Sequence, residues 1–313
     1  RLKVLEYDVY SIVSLGNILD ENLGSLIHLK YLSFKDYLAG LGAEFGLLKS
    51  IGMLQNPETL DLGRYCGKIP KVVSKLRRLQ HLPGFRMSMI QLKGGIGGME
   101  SLQTLSSVRI DDDGDDGKEL IKELGKLRQL RKLRLDDVME DHICTLYSSL
   151  NEMQHLESLS IRCPHFTDLH LNPPPSMLRS LTLGGMLDKF SEWILQLQNL
   201  VKLKLRTSSL NDDPIKFLEN MQNLLSLEIS NVYKGESLHF HDGGFQNLKE
   251  LYLTKMSTLN SIVIDKGALQ SLKKFKLYQI PYLETVPAGI QHLEKLEVLN
   301  VQYVPHVELY PKV

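Results

Sequence analysis

The sequence predicts an α/β solenoid, one array of short stacked units running from residue 1 to residue 313, and three observations carry that prediction. An L-x-x-L-x-L frame recurs along the whole chain at a nearly fixed interval, and apolar residues outside the frame recur with it. The composition, 42% hydrophobic and 24% charged with 37 basic side chains balanced by 37 acidic ones, is that of a soluble globular chain able to bury a long core.

The first position of the frame stands at Leu2, Leu29, Pro57, Leu79, Leu102, Leu130, Leu156, Leu178, Leu200, Leu224, Leu248, Leu272 and Leu296, which makes 13 copies at intervals of 22 to 28 residues. The last four intervals are all 24. Such spacing is that of leucine-rich repeats. Three residues before the frame stand Leu26, Leu54, Leu76, Met99, Leu127, Met153, Leu197, Met221, Phe245, Leu269 and Leu293, broken only by Pro175. An accidental ladder of leucines would not carry its neighbours in this way.

One repeat cannot bury its apolar stripe alone, so neighbours stack into a continuous core. Within the frame the second and third leucines alternate with outward residues at period two, which places a short parallel strand there. At ~4.8 Å per strand the array would line an arc of roughly 60 Å, the concave face of a horseshoe. Return segments such as residues 120–124 and 288–293 read as one or two helical turns on the convex face. Glycines thin out the pattern at 36–56 and 84–98, which are expected to be irregular coils inside one domain. The Asn or Cys that usually follows the third leucine by about three residues is replaced by Val138, Met186, Val232, Met256, Ile280 and Val304. Less regular coils are expected there, because the turn backbone must find other partners.

Charge neutrality excludes a nucleic-acid footprint, and no apolar run is long enough to insert into a membrane. Three scattered cysteines, and the lack of an Asn-x-Ser/Thr sequon at any of the 13 asparagines, favour a reducing, cytoplasmic setting. The glycines at 94–98 fit no phosphate-loop order. The acidic run at 111–117 lacks both the Gly and the Glu of a calcium loop, so it reads as a solvated loop. His239 with His241, and His165 with His170, lack a third ligand at metal spacing. With no nucleophile elbow or triad signature either, no enzyme activity is expected.

Binding residues are sought on the outward strand positions. Copies nine to twelve carry Lys202, Lys204 and Arg206, then Glu228, then Glu250 and Tyr252, then Lys274, Lys276 and Tyr278. Tyrosine is an enriched interface anchor, so this set is the candidate partner-binding face, against the plainer reading of charges pairing across strands. A second asymmetry lies between residues 62 and 99, where eight basic residues, Arg64, Lys68, Lys71, Lys75, Arg77, Arg78, Arg86 and Lys93, occur without a single Asp or Glu.

Three stretches, GIGGMESLQTL at 95–105, ELIKELGKLRQLRKL at 119–133 and LETVPAGI at 283–290, resemble the repeat region of plant coiled-coil nucleotide-binding leucine-rich-repeat disease resistance proteins. The resemblance implies a cytosolic immune receptor whose repeats sense a pathogen effector, or a host protein modified by one, and restrain a nucleotide switch. It implies that Arg64, Lys68, Lys71, Arg77 and Arg78 meet an upstream nucleotide-binding domain. ADP or ATP would belong to that domain; this chain holds no P-loop and no cofactor is expected in it. Since the chain opens at Arg1 inside the first frame, it is expected to be the C-terminal part of a longer receptor. Two other readings stay open: a stand-alone scaffold or F-box-type substrate adaptor, and a receptor ectodomain, hinted at by Gly67-Lys68-Ile69-Pro70.

Overall fold

The computed structural model describes residues 2–8, 23–35, 51–110, 114–166, 171, 173–187, 189–207 and 210–305. The chain forms two compact units, Arg1–Cys163 and Pro164–Val313, each built on a parallel sheet.

In the first unit the strands are β1 (Val4–Asp8), β2 (Tyr31–Lys35), β3 (Thr59–Asp61), β4 (His81–Leu82), β5 (Met87–Ser88), β6 (Thr104–Arg109), β7 (Lys132–Asp136) and β8 (Ser158–Phe166). They pair in the order β1-β2-β3-β4-β6-β7-β8, with β5 beside β6. The order follows the sequence, because each frame supplies one strand and the strand begins where the frame places it. In β7, Leu133 and Leu135 are buried while Lys132 and Arg134 face outward.

Among the described residues of this unit, two return segments are α-helical, α1 (Asp115–Gly125) and α2 (Ile143–Glu152). Leu120, Ile121 and Leu124 make the buried stripe of α1, so the helix expected over 120–124 is present. Asp115 and Asp116 occupy its first turn, where negative charge meets the positive end of the helix dipole. Gly125 faces α2 so closely that a Cβ there would lie 3.0 Å from the Ser149 Cβ.

Of the two expected coils, residues 36–50 lie outside the described residues. The other, 84–98, is more ordered than its glycines suggest. It contains β5 and two 3-10 turns, Ile90–Leu92 and Ile96–Gly98, and seats Met87, Met89, Leu92 and Ile96 in the core at 0% exposure. Residues 111–113 of the acidic run also lie outside the described set.

The second unit contains β9 (Ser180–Leu187), β10 (Lys202–Arg206), α3 (Pro214–Leu218), β11 (Ser226–Ser230), β12 (Ser237–Phe240), β13 (Glu250–Thr254), β14 (Ser261–Ile264), β15 (Lys274–Tyr278) and β16 (Val298–Gln302). Its main sheet runs β9-β10-β11-β13-β15-β16. Here one expectation holds only in part. Part of the return side is not helical but a second parallel sheet, β12 with β14, continued by a bridge from Val263 to Ala288. Leu238 and Phe240, like Ile262 and Ile264, alternate into the core at period two, which suits a strand and not a helix. Within residues 288–293 the expected helical turn is present as the 3-10 turn Ile290–His292.

The coils after the strands are also more regular than expected. Thr207, Asn231, Lys255, Gln279 and Tyr303, each seven residues after a first leucine, all take a left-handed conformation with φ of 53–62°. The N–H groups of Thr207, Asn231, Lys255 and Gln279 donate to the carbonyls of Ser230, Thr254, Tyr278 and Gln302 in the next copy at 2.8–3.0 Å. The kink turns the following residue inward, so Val232, Met256 and Ile280 are core plugs at 0% exposure. Met186 departs from them at 43% exposure, because β9 runs on past it to Leu187. The missing asparagine ladder stands elsewhere, one residue before the frame. Asn56, Asn199, Asn223 and Asn247 each donate Nδ2 to a carbonyl of the preceding copy, those of Ile27, Ser176, Gln198 and Gln222.

Candidate functional site

The in-register pairing of β10, β11, β13 and β15 turns the predicted binding residues into rows across the sheet of the second unit. Lys202, Ser226, Glu250 and Lys274 form one row; Lys204, Glu228, Tyr252 and Lys276 the next; Arg206, Ser230, Thr254 and Tyr278 the third. Both readings offered by the sequence are present, on different strands. On β10 and β11 charges pair across the strands, since Glu228 accepts from Lys204 Nζ at 2.6 Å and from Arg206 Nη2 at 2.7 Å. Partial burial raises the Glu228 pKa, but the bonds and charges of Lys204 and Arg206 outweigh it and leave the carboxyl below its ordinary range. Lys202 makes no ion pair among the described residues.

On β13 and β15 the arrangement is aromatic and cationic. Lys274 Nζ lies 5.6 Å from the Tyr252 ring centroid and Lys276 Nζ 5.0 Å from that of Tyr278. Glu250 accepts from Ser226 Oγ at 3.2 Å and from the Tyr252 hydroxyl at 3.1 Å. Burial, together with this bond to Glu250, pushes the Tyr252 phenol up. Tyr303 packs edge-on against Tyr278 with centroids 5.4 Å apart and is itself 72% exposed. It belongs to the same face, and its position one residue beyond the strand frame hid it from a search of strand positions.

The basic run of the first unit is spread over several short segments. Arg64 lies in the turn after β3, Lys68 in a bridge to Ser88, Lys71 in a 3-10 turn (Lys71–Lys75), and Arg77 with Arg78 in the turn leading into β4. All five are exposed; Arg78 donates to Asn56 Oδ1 at 2.5 Å, and the Arg77 guanidinium covers Gly98. Arg86 and Lys93, from the same run, pair instead with Asp137 and Asp116.

A different set of cations gathers around β7. Asp136, with a side chain only 1% exposed, accepts from Ser107 Oγ at 2.8 Å and from both Nε and Nη2 of Arg134 at 3.3 Å, and Arg162 Nη1 stands 3.8 Å away. Arg109 is its register partner on β6. The sequence held one signal of this cluster: Arg86, Arg109 and Asp137 occupy the same offset, seven residues after their first leucines.

On the return side of the second unit, His239 and His241 stand with rings 4.3 Å apart. Each bonds a carboxylate of a neighbouring copy at 2.9 Å, His239 to Asp265 and His241 to Glu219. The bond from His239 holds the Asp265 carboxyl low. His170 lies outside the described residues. Among the described residues, no group of three or more His, Cys, Asp or Glu could hold a metal ion, and no helix is long and apolar enough to cross a membrane.

A family model described as a leucine-rich repeat region matches residues 1–309. Disease resistance protein RPM1 of Arabidopsis thaliana is 30% identical over 153 residues, 46% of this chain and 15% of that protein. A probable disease resistance RPP8-like protein of the same plant is 26% identical over 244 residues, 74% of this chain and 25% of its own length. The chain thus spans a quarter or less of these two relatives. Among solved structures, a leucine-rich repeat protein of Leptospira interrogans superposes with a TM-score of 0.54 at 19% identity, covering 98% of this chain and 86% of that one. The PEPR1–AtPEP1 structure gives 0.53 at 17% identity, covering 89% and 39%. At those identities the likeness is one of fold.

Proposed function

Because the chain belongs to the leucine-rich repeat region family, we propose that it is the partner-sensing and restraining segment of an intracellular plant immune receptor, acting by protein–protein contact in the cytoplasm. The observation that carries this reading is the aromatic and cationic face on β13, β15 and the turn after β16, where Tyr252, Tyr278 and Tyr303 stand with Lys274 and Lys276 on a rigid sheet. A rigid surface loses little conformational freedom on binding, and tyrosines are common anchors of such interfaces. The partner is a pathogen effector or a host protein that an effector modifies. Lys202, with the Lys204–Glu228–Arg206 clamp beside the tyrosines, sets its charge preference. The restraint comes from Arg64, Lys68, Lys71, Arg77 and Arg78 meeting an acidic surface of an upstream nucleotide-binding domain.

The test pairs two sets of substitutions in the receptor. Tyr252→Ala and Tyr278→Ala should each weaken partner binding by on the order of 2 kcal/mol while leaving the melting temperature nearly unchanged, since neither side chain fills the core. Changes of equal size on the return side should leave recognition in leaf tissue intact. Loss of recognition from the return side alone would overturn the assignment. For the restraint, Arg77→Glu with Arg78→Glu should raise resting activity, and unchanged resting activity with unchanged domain association in pull-downs would count against it.

A further inference from the structure

The edge at which the strands of the second unit begin carries a row of residues separate from the concave face. Each residue just before a strand donates its N–H to its counterpart in the preceding copy: Val201 to the Arg179 carbonyl, Leu225 to that of Val201, and Lys249 to that of Leu225, at 2.8–2.9 Å. Arg179, Val201, Leu225 and Lys249 are therefore four successive rungs, two half-buried apolar residues between two exposed cations. Neighbouring strands stand ~4.8 Å apart, which puts the outer two rungs about 14 Å from each other. The row lines a cavity of about 550 Å³, and no Asp or Glu is among the lining residues. Neither Arg179 nor Lys249 makes an ion pair among the described residues.

The wall beside this row is held in place by the asparagine ladder. Asn199, Asn223 and Asn247 line the same cavity in three successive copies. Their Nδ2 groups are bound to the carbonyls of Ser176, Gln198 and Gln222 at 2.6–3.0 Å. An amide bound through its nitrogen keeps its oxygen as an acceptor, and these three Oδ1 atoms take no donor among the described residues. In the first unit the matching oxygen, Asn56 Oδ1, does take one, from Arg78. A ladder that serves stacking alone uses only the donor half of each amide. Here the acceptor half, two unmatched cations and the apolar rungs between them line one cavity.

We propose that this groove binds an extended segment of a protein partner with the pattern acidic-x-apolar-x-acidic. In an extended chain alternate side chains share one face and each residue adds ~3.3 Å, so residues i and i+4 stand about 13 Å apart with i+2 between them. That spacing puts one carboxylate at Arg179, the other at Lys249, and the apolar side chain over Val201 and Leu225. A helical i, i+4 pair spans only about 6 Å at ~1.5 Å per residue, too short to reach both cations. Backbone N–H groups of the segment donate to the asparagine oxygens. The two charge pairs set specificity, and a wall already fixed by its ladder loses little freedom on binding. The apolar rungs separate this occupant from a polyanion such as single-stranded nucleic acid, which would lay phosphates against Val201 and Leu225. The groove does not depend on the tyrosine face.

The test uses the full chain and fluorescence anisotropy with a labelled, end-capped peptide containing Glu-Thr-Val-Thr-Glu. It should bind about tenfold more tightly than the same peptide with Gln in both acidic places, or with Ser in place of Val, and added salt should weaken it. Arg179→Gln with Lys249→Gln should remove the advantage over the Gln peptide, while Lys234→Gln with Lys266→Gln should not. If the double variant melts early by circular dichroism, Arg179→Gln alone should still weaken binding several-fold. Arg179→Glu with Lys249→Glu should reverse the preference, toward a peptide with Lys in both acidic places. Tyr252→Ala with Tyr278→Ala should leave the affinity unchanged, which keeps failure of the groove distinct from failure of the tyrosine face. Equal binding of the Gln or Ser peptide, tighter binding of an oligothymidylate, full binding by a folded Arg179→Gln, Lys249→Gln protein, or loss of binding in the tyrosine variant would overturn the proposal.

Discussion

The two units share one strand frame and differ in how the chain returns between strands. In the first, the intervals from Leu102 to Leu130 and from Leu130 to Leu156 are 28 and 26 residues, and they hold α1 and α2. In the second, intervals of 24 residues hold the five-residue α3, the strands β12 and β14, or a single 3-10 turn. Length accounts for where the two longer helices fit. The 11 residues of α1 cover about 16 Å at a helical rise of ~1.5 Å, and the 4 residues of β14 cover about 13 Å at ~3.3 Å. The span to be crossed is nearly the same, so the 28- and 26-residue intervals have chain enough for helices of 11 and 10 residues, whereas the 24-residue ones hold a single short helix, a strand or a 3-10 turn.

The comparison breaks most readily at the return side. Phe240 is fully buried in β12, with its ring 5.9 Å from that of Phe245, and a strand paired on a sheet has little freedom to close a cavity. Phe240→Ala should therefore cost about 3–5 kcal/mol in urea unfolding. Leu124→Ala on α1 should fall at the low end of about 2–5 kcal/mol, since a helix packed on a helix can shift toward the space. An equal or larger loss at Leu124 would show that strand returns are no more brittle than helical ones.

The strand faces give a second, smaller contrast. Removing the acceptor in Asp136→Ala strands Ser107 and Arg134 around a buried site, at a cost of about 2 kcal/mol. Glu228→Ala should cost under about 1 kcal/mol, because its side chain and those of Lys204 and Arg206 are 17%, 26% and 43% exposed and water screens the pair. Its folded pKa lies below the ordinary glutamate value of 4.5, so its stabilisation is present above pH 4.5 and is lost as pH falls through the lowered folded value. Acid unfolding of Glu228→Gln should accordingly be shallower than that of the unmodified chain below pH 4.5. Identical acid limbs would remove the clamp as a source of stability.

The smallest effect is expected at the left-handed turns. Gln279 is exposed and held at φ 55°, a conformation that costs a side chain on the order of 1 kcal/mol. Glycine adopts it freely but loses more entropy on folding, so Gln279→Gly should stabilise by only about 0.5 kcal/mol, a rise of about 1–2 °C by calorimetry. A fall in melting temperature would mean that the side chain supports the turn in some other way.

Which residues enter the core was decided by the sequence, down to individual strands. The second and third leucines of a frame alternate at period two, and burying them fixes both the register and the outward rows in which Lys202, Glu228, Tyr252 and Tyr278 stand. The helix of the 28-residue interval was legible as well, because its buried stripe is local. What could not be read along the chain are contacts between copies. The left-handed turns are fixed by N–H groups reaching the next strand, and the asparagine ladder by amides reaching back to the previous copy. Likewise, two of the eight basic residues of the run, Arg86 and Lys93, are paired with Asp137 and Asp116 of later copies, and Arg86, Arg134 and Arg162 are gathered around Asp136 and Asp137. Periodicity specifies which side of a strand a residue occupies; only the stacking of one copy on the next specifies what it meets there.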